Sequence, residues 1–224
     1  MKLISSLLRG GFAIALLSSS AAVFAATSVL TFDGLGLANY GVIPGSYGDN
    51  LANTPNVTVD YRTFAPGVYT TFSNDLMFWD TGYGSLTNVA IASGAGGGSE
   101  ISLVASAGFV VDLASLNVAS FGNVNQTDQL LRVLDGAGNV LADYSPVTVL
   151  GAGFNNILTP GVSASTLRIQ FGNTWNVAID NITFGQRAVT QPPTPTGVPD
   201  QGNTVLLLGA ALVAIAGLRR TFAG

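Results

Sequence analysis

Cysteine and histidine are both absent from this chain. Without cysteine there is no disulfide framework, no thiolate nucleophile and no zinc centre of the cysteine type. Without histidine there is no Ser-His-Asp triad and no imidazole metal ligand. Lysine occurs once, at Lys2, and glutamate once, at Glu100. Charged residues make up only 9% of the chain, while glycine contributes 28 residues. Between Ala26 and Arg187 the bases are Arg62, Arg132, Arg168 and Arg187, set against eleven carboxylates. Nucleic-acid binding needs clustered Lys and Arg to neutralise phosphates, so this balance excludes it. What is left suits an extracellular protein rich in strands and turns better than a cytosolic enzyme.

The two ends of the chain carry targeting patterns. Lys2 and Arg9 form a positive n-region, Gly11 to Leu17 an apolar stretch, and Val23-Phe24-Ala25 a small-residue cleavage site. Residues 1–25 therefore read as a signal peptide, cut by signal peptidase after Ala25, with Ala26 as the alternative. At the other end, Val198-Pro199-Asp200 precedes an uncharged run from Gln201 to Leu218, closed by Arg219 and Arg220. As a helix, residues 201–218 would rise about 27 Å. That is the short end of what spans a hydrocarbon core of about 30 Å. Gly209, Ala210, Ala211, Ala214, Ala216 and Gly217 leave one surface small enough for another helix to approach closely. The arginine pair is expected to stay in the cytoplasm, which makes this a single transmembrane helix.

The order VPDxG, small-residue apolar helix and terminal Arg cluster resembles the PEP-CTERM class of sorting signals, nearest its VPDSG variant. The residues that carry the resemblance are Val198, Pro199, Asp200, Gly202, Arg219 and Arg220. Gln201 stands where the variant has Ser, and Asp200 where the commoner form has Glu. The resemblance implies recognition by an exosortase, a membrane cysteine peptidase that cuts near the tripeptide and passes the protein outward. It implies a transient inner-membrane anchor followed by release to the cell surface or extracellular matrix.

Residues 26–187 form the cargo. Val57 to Phe64 (VTVDYRTF), Thr166 to Phe171 (TLRIQF) and Val177 to Phe184 (VAIDNITF) show the period-two pattern of strands. Further strands are expected over Ser28–Leu35, Leu76–Trp79, Asn88–Ser93 and Glu100–Ala105. Gly108–Phe121 is expected as a strand broken near Ala114-Ser115. Leu130–Asp135 and Asn139–Tyr144 flank Gly136-Ala137-Gly138 and predict a hairpin. No stretch of this region carries a helical period. The spacing predicts an all-β antiparallel sandwich of about eight to ten strands. A Pro-rich linker, 188–197, would hold it off the membrane, and the sorting segment occupies 198–224. LTFDGLG, IPGSYGDN and WNVAIDNITF resemble motifs of secreted jelly-roll domains of the carbohydrate-binding-module type.

Three groups of residues invite chemistry. If the first and last strands pair, Asp33 and Asp180 approach one another, and Asp49 follows in the next loop. In the modules this domain resembles, acidic residues at such places hold a structural calcium with backbone carbonyls, a cation that takes six to eight oxygens. The alternative is that Asp33 only opens a turn with Gly34, while Asp180 and Asn181 punctuate a strand. Trp79 and Trp175, each followed by Asp80 or Asn176, have the company of a sugar-stacking platform, although aromatics in strands also build cores. Glu100 is one candidate acid for glycoside hydrolysis, but no spacing singles out its partner. The glycine run Gly94 to Gly98 lacks the ending of a phosphate loop. These readings predict a non-enzymatic exported protein, an adhesion or polysaccharide-associated module. The alternative is a carbohydrate-active enzyme or its accessory sugar-binding domain.

Overall fold

The computed structural model describes residues 26–64, 72–73, 76–91, 98–173 and 175–189. The signal segment, most of the linker, the sorting tripeptide and the 201–218 run lie outside the described residues. Among the described residues there is no helix, so none is long and apolar enough to cross a membrane. The strands are β1 (Thr27–Leu30), β2 (Val57–Phe64), β3 (Phe72–Ser73), β4 (Met77–Trp79), β5 (Val89–Ile91), β6 (Gly98–Ala105) and β7 (Phe109–Ser120). They continue as β8 (Gln126–Gln129), β9 (Leu131–Asp135), β10 (Val140–Asp143), β11 (Val147–Val149), β12 (Asn155–Ala164), β13 (Thr166–Phe171) and β14 (Val177–Ala188).

All the pairings are antiparallel. One six-stranded sheet runs β12-β7-β14-β5-β4, with β1 also on β14; a second runs β10-β9-β13-β6-β2-β3; β11 and β8 make a small third. Alternation explains the core. Val57, Val59 and Tyr61 of β2, Ile101 and Leu103 of β6, and Leu167, Ile169 and Phe171 of β13 turn one face inward. They meet Val111, Leu113, Leu116 and Val118 of β7 and Val177, Ile179, Ile182 and Phe184 of β14 in a single apolar cluster. Two antiparallel sheets sharing one core are consistent with a β-sandwich.

The strands exceed the number expected, and the difference has causes. β12 contains Pro160-Gly161, a dipeptide typical of turns. The pairing with β7 slips between Leu158 and Val162, and Gly161 takes φ 79° inside that slip. β12 is an edge strand, where a proline without an N–H costs no ladder bond on the open side. The irregularity thus sits on β12, and β7 runs unbroken past Ala114-Ser115. β8 (QTDQ) is polar and without the alternation that marks a strand, and β11 (VTV) is only three residues long. At the start, β1 stops at Leu30 because Gly34 (φ 76°) and Gly36 (φ 63°) turn the chain away. The β9–β10 hairpin forms as its glycines require, with Gly138 at φ 90°. Asp135 Oδ1 accepts the amides of Ala137 (2.9 Å) and Asn139 (2.8 Å), fixing the loop.

Candidate functional site

The chain links both tryptophans through one strip of aromatic rings. Tyr40 meets Trp79 edge-on, with ring centroids 4.7 Å apart and planes at 88°. Trp79 meets Phe121 at 5.7 Å, and Phe121 meets Trp175 at 5.2 Å. Tyr83, fully buried, backs the strip at 5.2 Å from Phe121 and donates its hydroxyl to the Trp175 carbonyl. Trp79, Phe121 and Trp175 are each half-buried, whereas Tyr40 is 60% exposed. Trp79 therefore serves two ends: it packs on the small core of Tyr83, Leu86, Val89 and Ile91 and keeps part of its ring outside.

Local backbone explains why these rings meet. Trp79 ends β4, and Tyr40 is laid beside it by main-chain bonds Tyr40 N to Phe78 O (3.0 Å) and Phe78 N to Gly41 O (2.8 Å). Tyr40 takes φ 66°, a left-handed conformation uncommon for a residue with a side chain. Phe121 is bridged to Tyr83 and bonded through its amide to the Asn176 carbonyl (3.0 Å), which brings Trp175 alongside. A polar pair borders the Tyr40 end. Asn39 Nδ2 donates to Asp80 Oδ1 (2.9 Å), and Asp80 N donates to Asn39 Oδ1 (2.8 Å). The Asn39 amide and the Thr81 hydroxyl hold the exposed Asp80 carboxyl below the usual carboxylate range. Tyr40 and Phe121 carry no signal in the sequence, since neither stands in a patterned strand centre.

The first and last strands do pair: Leu30 lies opposite Ile182 and Thr27 opposite Gly185. β14 pairs β5 at Ala178–Ile179 and β1 from Ile182 onward, so Asp180 and Asn181 fall in the interval between two partners. Ile179 and Ile182 both enter the core, three residues apart, which a regular strand cannot do. Asn181, at φ 51°, absorbs the extra residue as a bulge. Asp180 is consequently only 4% exposed. Its Oδ2 accepts from Asn181 Nδ2 (2.9 Å), while its buried Oδ1 accepts no hydrogen bond. Burial pushes this carboxyl up to about 7, and the nearby charge of Asp33 adds to the rise.

Asp33 itself is exposed and accepts from Asn88 Nδ2 at 2.7 Å. Tyr47 packs against the core, and its hydroxyl donates to the Thr31 carbonyl (2.6 Å) and lies 3.3 Å from the Asp33 carbonyl. Burial raises its phenol above the ordinary range, with Asp33 and then Asp180 adding to it. Asp49 points elsewhere: its Oδ1 accepts the Val59 amide at 2.6 Å, tying its loop to β2. The structure thus brings Asp33 and Asp180 into one electrostatic neighbourhood without Asp49. Among the described residues no three Asp, Glu, His or Cys side chains form a metal-sized group.

Glu100 has a different environment. Across four strands the register aligns Arg132 with Gln170, Gln170 with Glu100, and Glu100 with Arg62. Glu100 is 1% exposed and held bidentately by Arg168, with Nε to Oε1 at 3.0 Å and Nη2 to Oε2 at 2.8 Å. Gln170 Nε2 (2.7 Å) and Ser102 Oγ (3.2 Å) also donate to it. Arg132 Nε donates to Gln170 Oε1 (2.8 Å), extending the row. This carboxylate is fully engaged by its own sheet.

The comparisons with known proteins bear chiefly on the chain's end. A model of the VPDSG-CTERM motif matches residues 197–222. The chain therefore carries a sorting signal, and such a signal implies an exported protein and machinery that processes it. No curated protein matches the chain. Among solved structures it is similar to the enzymatically active domain of bacteriophage CBA120 tailspike protein 4, with 16% identity and a TM-score of 0.28. That match covers 66% of this chain and 22% of the tailspike chain, so this chain spans about a fifth of that structure's length.

Proposed function

We propose that this protein is an exported, non-enzymatic surface or matrix module that associates with extracellular polysaccharide, its domain a jelly-roll-like sandwich. The observation that carries the reading is the aromatic strip Tyr40–Trp79–Phe121–Trp175, half open to solvent and bordered by the Asn39–Asp80 pair. Sugars stack on such rings and bond their hydroxyls to neighbouring amides and carboxylates. Signal peptidase would free the domain's start, and an exosortase would act at Val198-Pro199-Asp200 while residues 201–218 sit in the inner membrane. The non-enzymatic part of the reading is supported by Glu100, whose carboxylate is occupied by Arg168, Gln170 and Ser102. Retention of the full-length chain on insoluble or immobilised extracellular polysaccharides is the direct test. Trp175→Ala and Trp79→Ala should each lower retention at least about fivefold. Glycan turnover that disappears in Glu100→Gln would overturn the reading in favour of an enzyme.

Calcium is a second proposal, favoured by the orphaned Oδ1 of Asp180. A buried carboxylate oxygen without a donor is what a cation would satisfy. Asp180 and Asp33 would hold it, with main-chain carbonyls of the segment after β1. Asp49 is committed to Val59 and would not. Calcium should raise the melting temperature of the full-length chain and chelator should lower it; Asp180→Asn should remove the difference. An unchanged melting temperature would eliminate the site.

A further inference from the structure

We propose that the corner formed by Tyr40, Trp79 and Asp80 selects a saccharide that bears free amines, a deacetylated amino sugar, over its acetylated or acidic counterparts. This rests on the polysaccharide reading and goes one step further, to the charge of the ligand.

Three observations point there. First, Tyr40 and Trp79 stand at 88° to one another with centroids 4.7 Å apart, and Tyr40 is 60% exposed. Two electron-rich ring faces at right angles form a corner that a sugar ring enters along one wall while a substituent faces the other. Aromatic faces attract cations. Second, an exposed carboxylate is built into the rim. Asp80 follows Trp79 in the chain, Asn39 precedes Tyr40, and the reciprocal Asn39–Asp80 bonds of 2.9 and 2.8 Å join the two segments. The two side-chain donors Asn39 Nδ2 and Thr81 Oγ1 both reach Oδ1, and they keep the group ionised. Third, the cations of the described domain are spent elsewhere. Arg62, Arg132 and Arg168 lie on β2, β9 and β13 beside Asp60, Gln170 and Glu100, and Arg187 pairs with Asp112. None of these pairings borders Tyr40 or Trp79, and the chain has no lysine after Lys2. A uronate or sulfate would meet this anion, and among the described residues the four arginine pairings named above lie at other side chains. A neutral sugar would find an acceptor, and an ammonium would find the acceptor, its charge and two ring faces together.

The backbone supports the assignment as a built feature. Tyr40 is held at φ 66° by its amide bond to Phe78 O, an arrangement that costs conformational energy and presents the ring outward. A tyrosine wanted only for packing would face the core, as Tyr61 and Tyr83 do.

The test uses the full-length chain with three soluble probes: a hexamer of glucosamine, the same hexamer fully N-acetylated, and oligogalacturonate. Affinities are measured by calorimetry at low salt and at a pH that protonates the amines. The expected order is amine, then acetylated, then uronate, with about tenfold between the first two. Asp80→Asn is isosteric and sits at the surface. It should bring the amine-bearing probe down to the level of the acetylated one, whose own binding should fall by a smaller factor. Tyr40→Ala should weaken both. Salt should weaken the amine-bearing probe selectively. Equal affinity for the first two probes, with binding still lost in Trp79→Ala, would overturn the charge selectivity and leave the polysaccharide reading standing. Binding of uronate ahead of the amine would do the same. No binding of any glycan would overturn both.

Discussion

The two most buried carboxylates among the described residues, Glu100 and Asp180, are 1% and 4% exposed, and they have opposite surroundings. Glu100 lies in the middle of a regular four-strand row and receives four hydrogen bonds from Arg168, Gln170 and Ser102. Asp180 lies where β14 passes from one partner strand to another. It has an amide on one oxygen, no donor on the other, and a second carboxylate nearby. Burial alone therefore does not separate a structural acid from a chemically poised one. The difference is whether the strand register delivers a counter-charge. For Glu100 it does, from β13 two residue pairs along the ladder; for Asp180 the neighbours across the gap are the main chain of Phe32 and the side chain of Asp33.

The comparison is broken most forcibly at Glu100. Truncation to alanine would leave the Arg168 guanidinium, only 20% exposed, beside Gln170 without its anion. Removing one partner of such a pair costs about 3–5 kcal/mol. Glu100→Ala should move the urea midpoint of the domain accordingly, and a shift under about 1 kcal/mol would mean that the row is ornamental to stability. Double replacement of Glu100 and Arg168 by apolar residues should cost less than the single change, since no charge is then stranded.

Asp180 should make the stability of the domain depend on pH. Its folded-state value lies near 7, above the ordinary carboxylate value of 3.8. A raised acid binds its proton more tightly when folded, so the neutral form is the one the fold tolerates. Stability is then highest below the unfolded value and declines as pH climbs from about 4 to about 7. In chelator, the melting temperature should fall across that window and level off above it. Asp180→Asn should flatten the profile and melt higher at pH 8. A profile that rises over the same window would show that Asp180 has a cationic partner after all.

Much of this was legible before the structure, and the misses share a cause. Period-two alternation reports a side chain's face, so β2, β13 and β14 and the β9–β10 hairpin could be read directly. Pairing of the first and last strands, and with it the proximity of Asp33 and Asp180, followed from topology. The neighbour of Asp49 in space, Val59, is set by a main-chain bond that no sequence pattern announces. The aromatic strip is half visible in the sequence: Trp79 and Trp175 stand out by their polar companions, but their linkage needs Phe121 just past β7 and Tyr40 in a loop. Register across four strands is likewise absent from the sequence, which is why Glu100 read as a stray acid and not as the centre of an arginine row.

The smallest effect, and the finest test of what makes Asp180 different, is at Asn181. Its φ of 51° is the bulge that lets both Ile179 and Ile182 face the core and turns Asp180 inward. Its amide is also the 2.9 Å donor to Asp180 Oδ2. Glycine at this position keeps the left-handed backbone and loses the donor; alanine loses both. The Gly-to-Ala difference therefore isolates the backbone term, which is about 1 kcal/mol for a residue with a Cβ in this conformation. The Asn-to-Gly difference isolates the hydrogen bond and should appear mainly above pH 7, where Asp180 is ionised and the amide is its one side-chain donor. If the Gly and Ala variants melt together, the bulge is not under strain and Asp180 is buried by the gap between β1 and β5 alone. If the Gly variant loses no stability at high pH, the amide does not hold the charge, and the orphaned oxygen is the weaker half of a group that stays neutral in the folded protein.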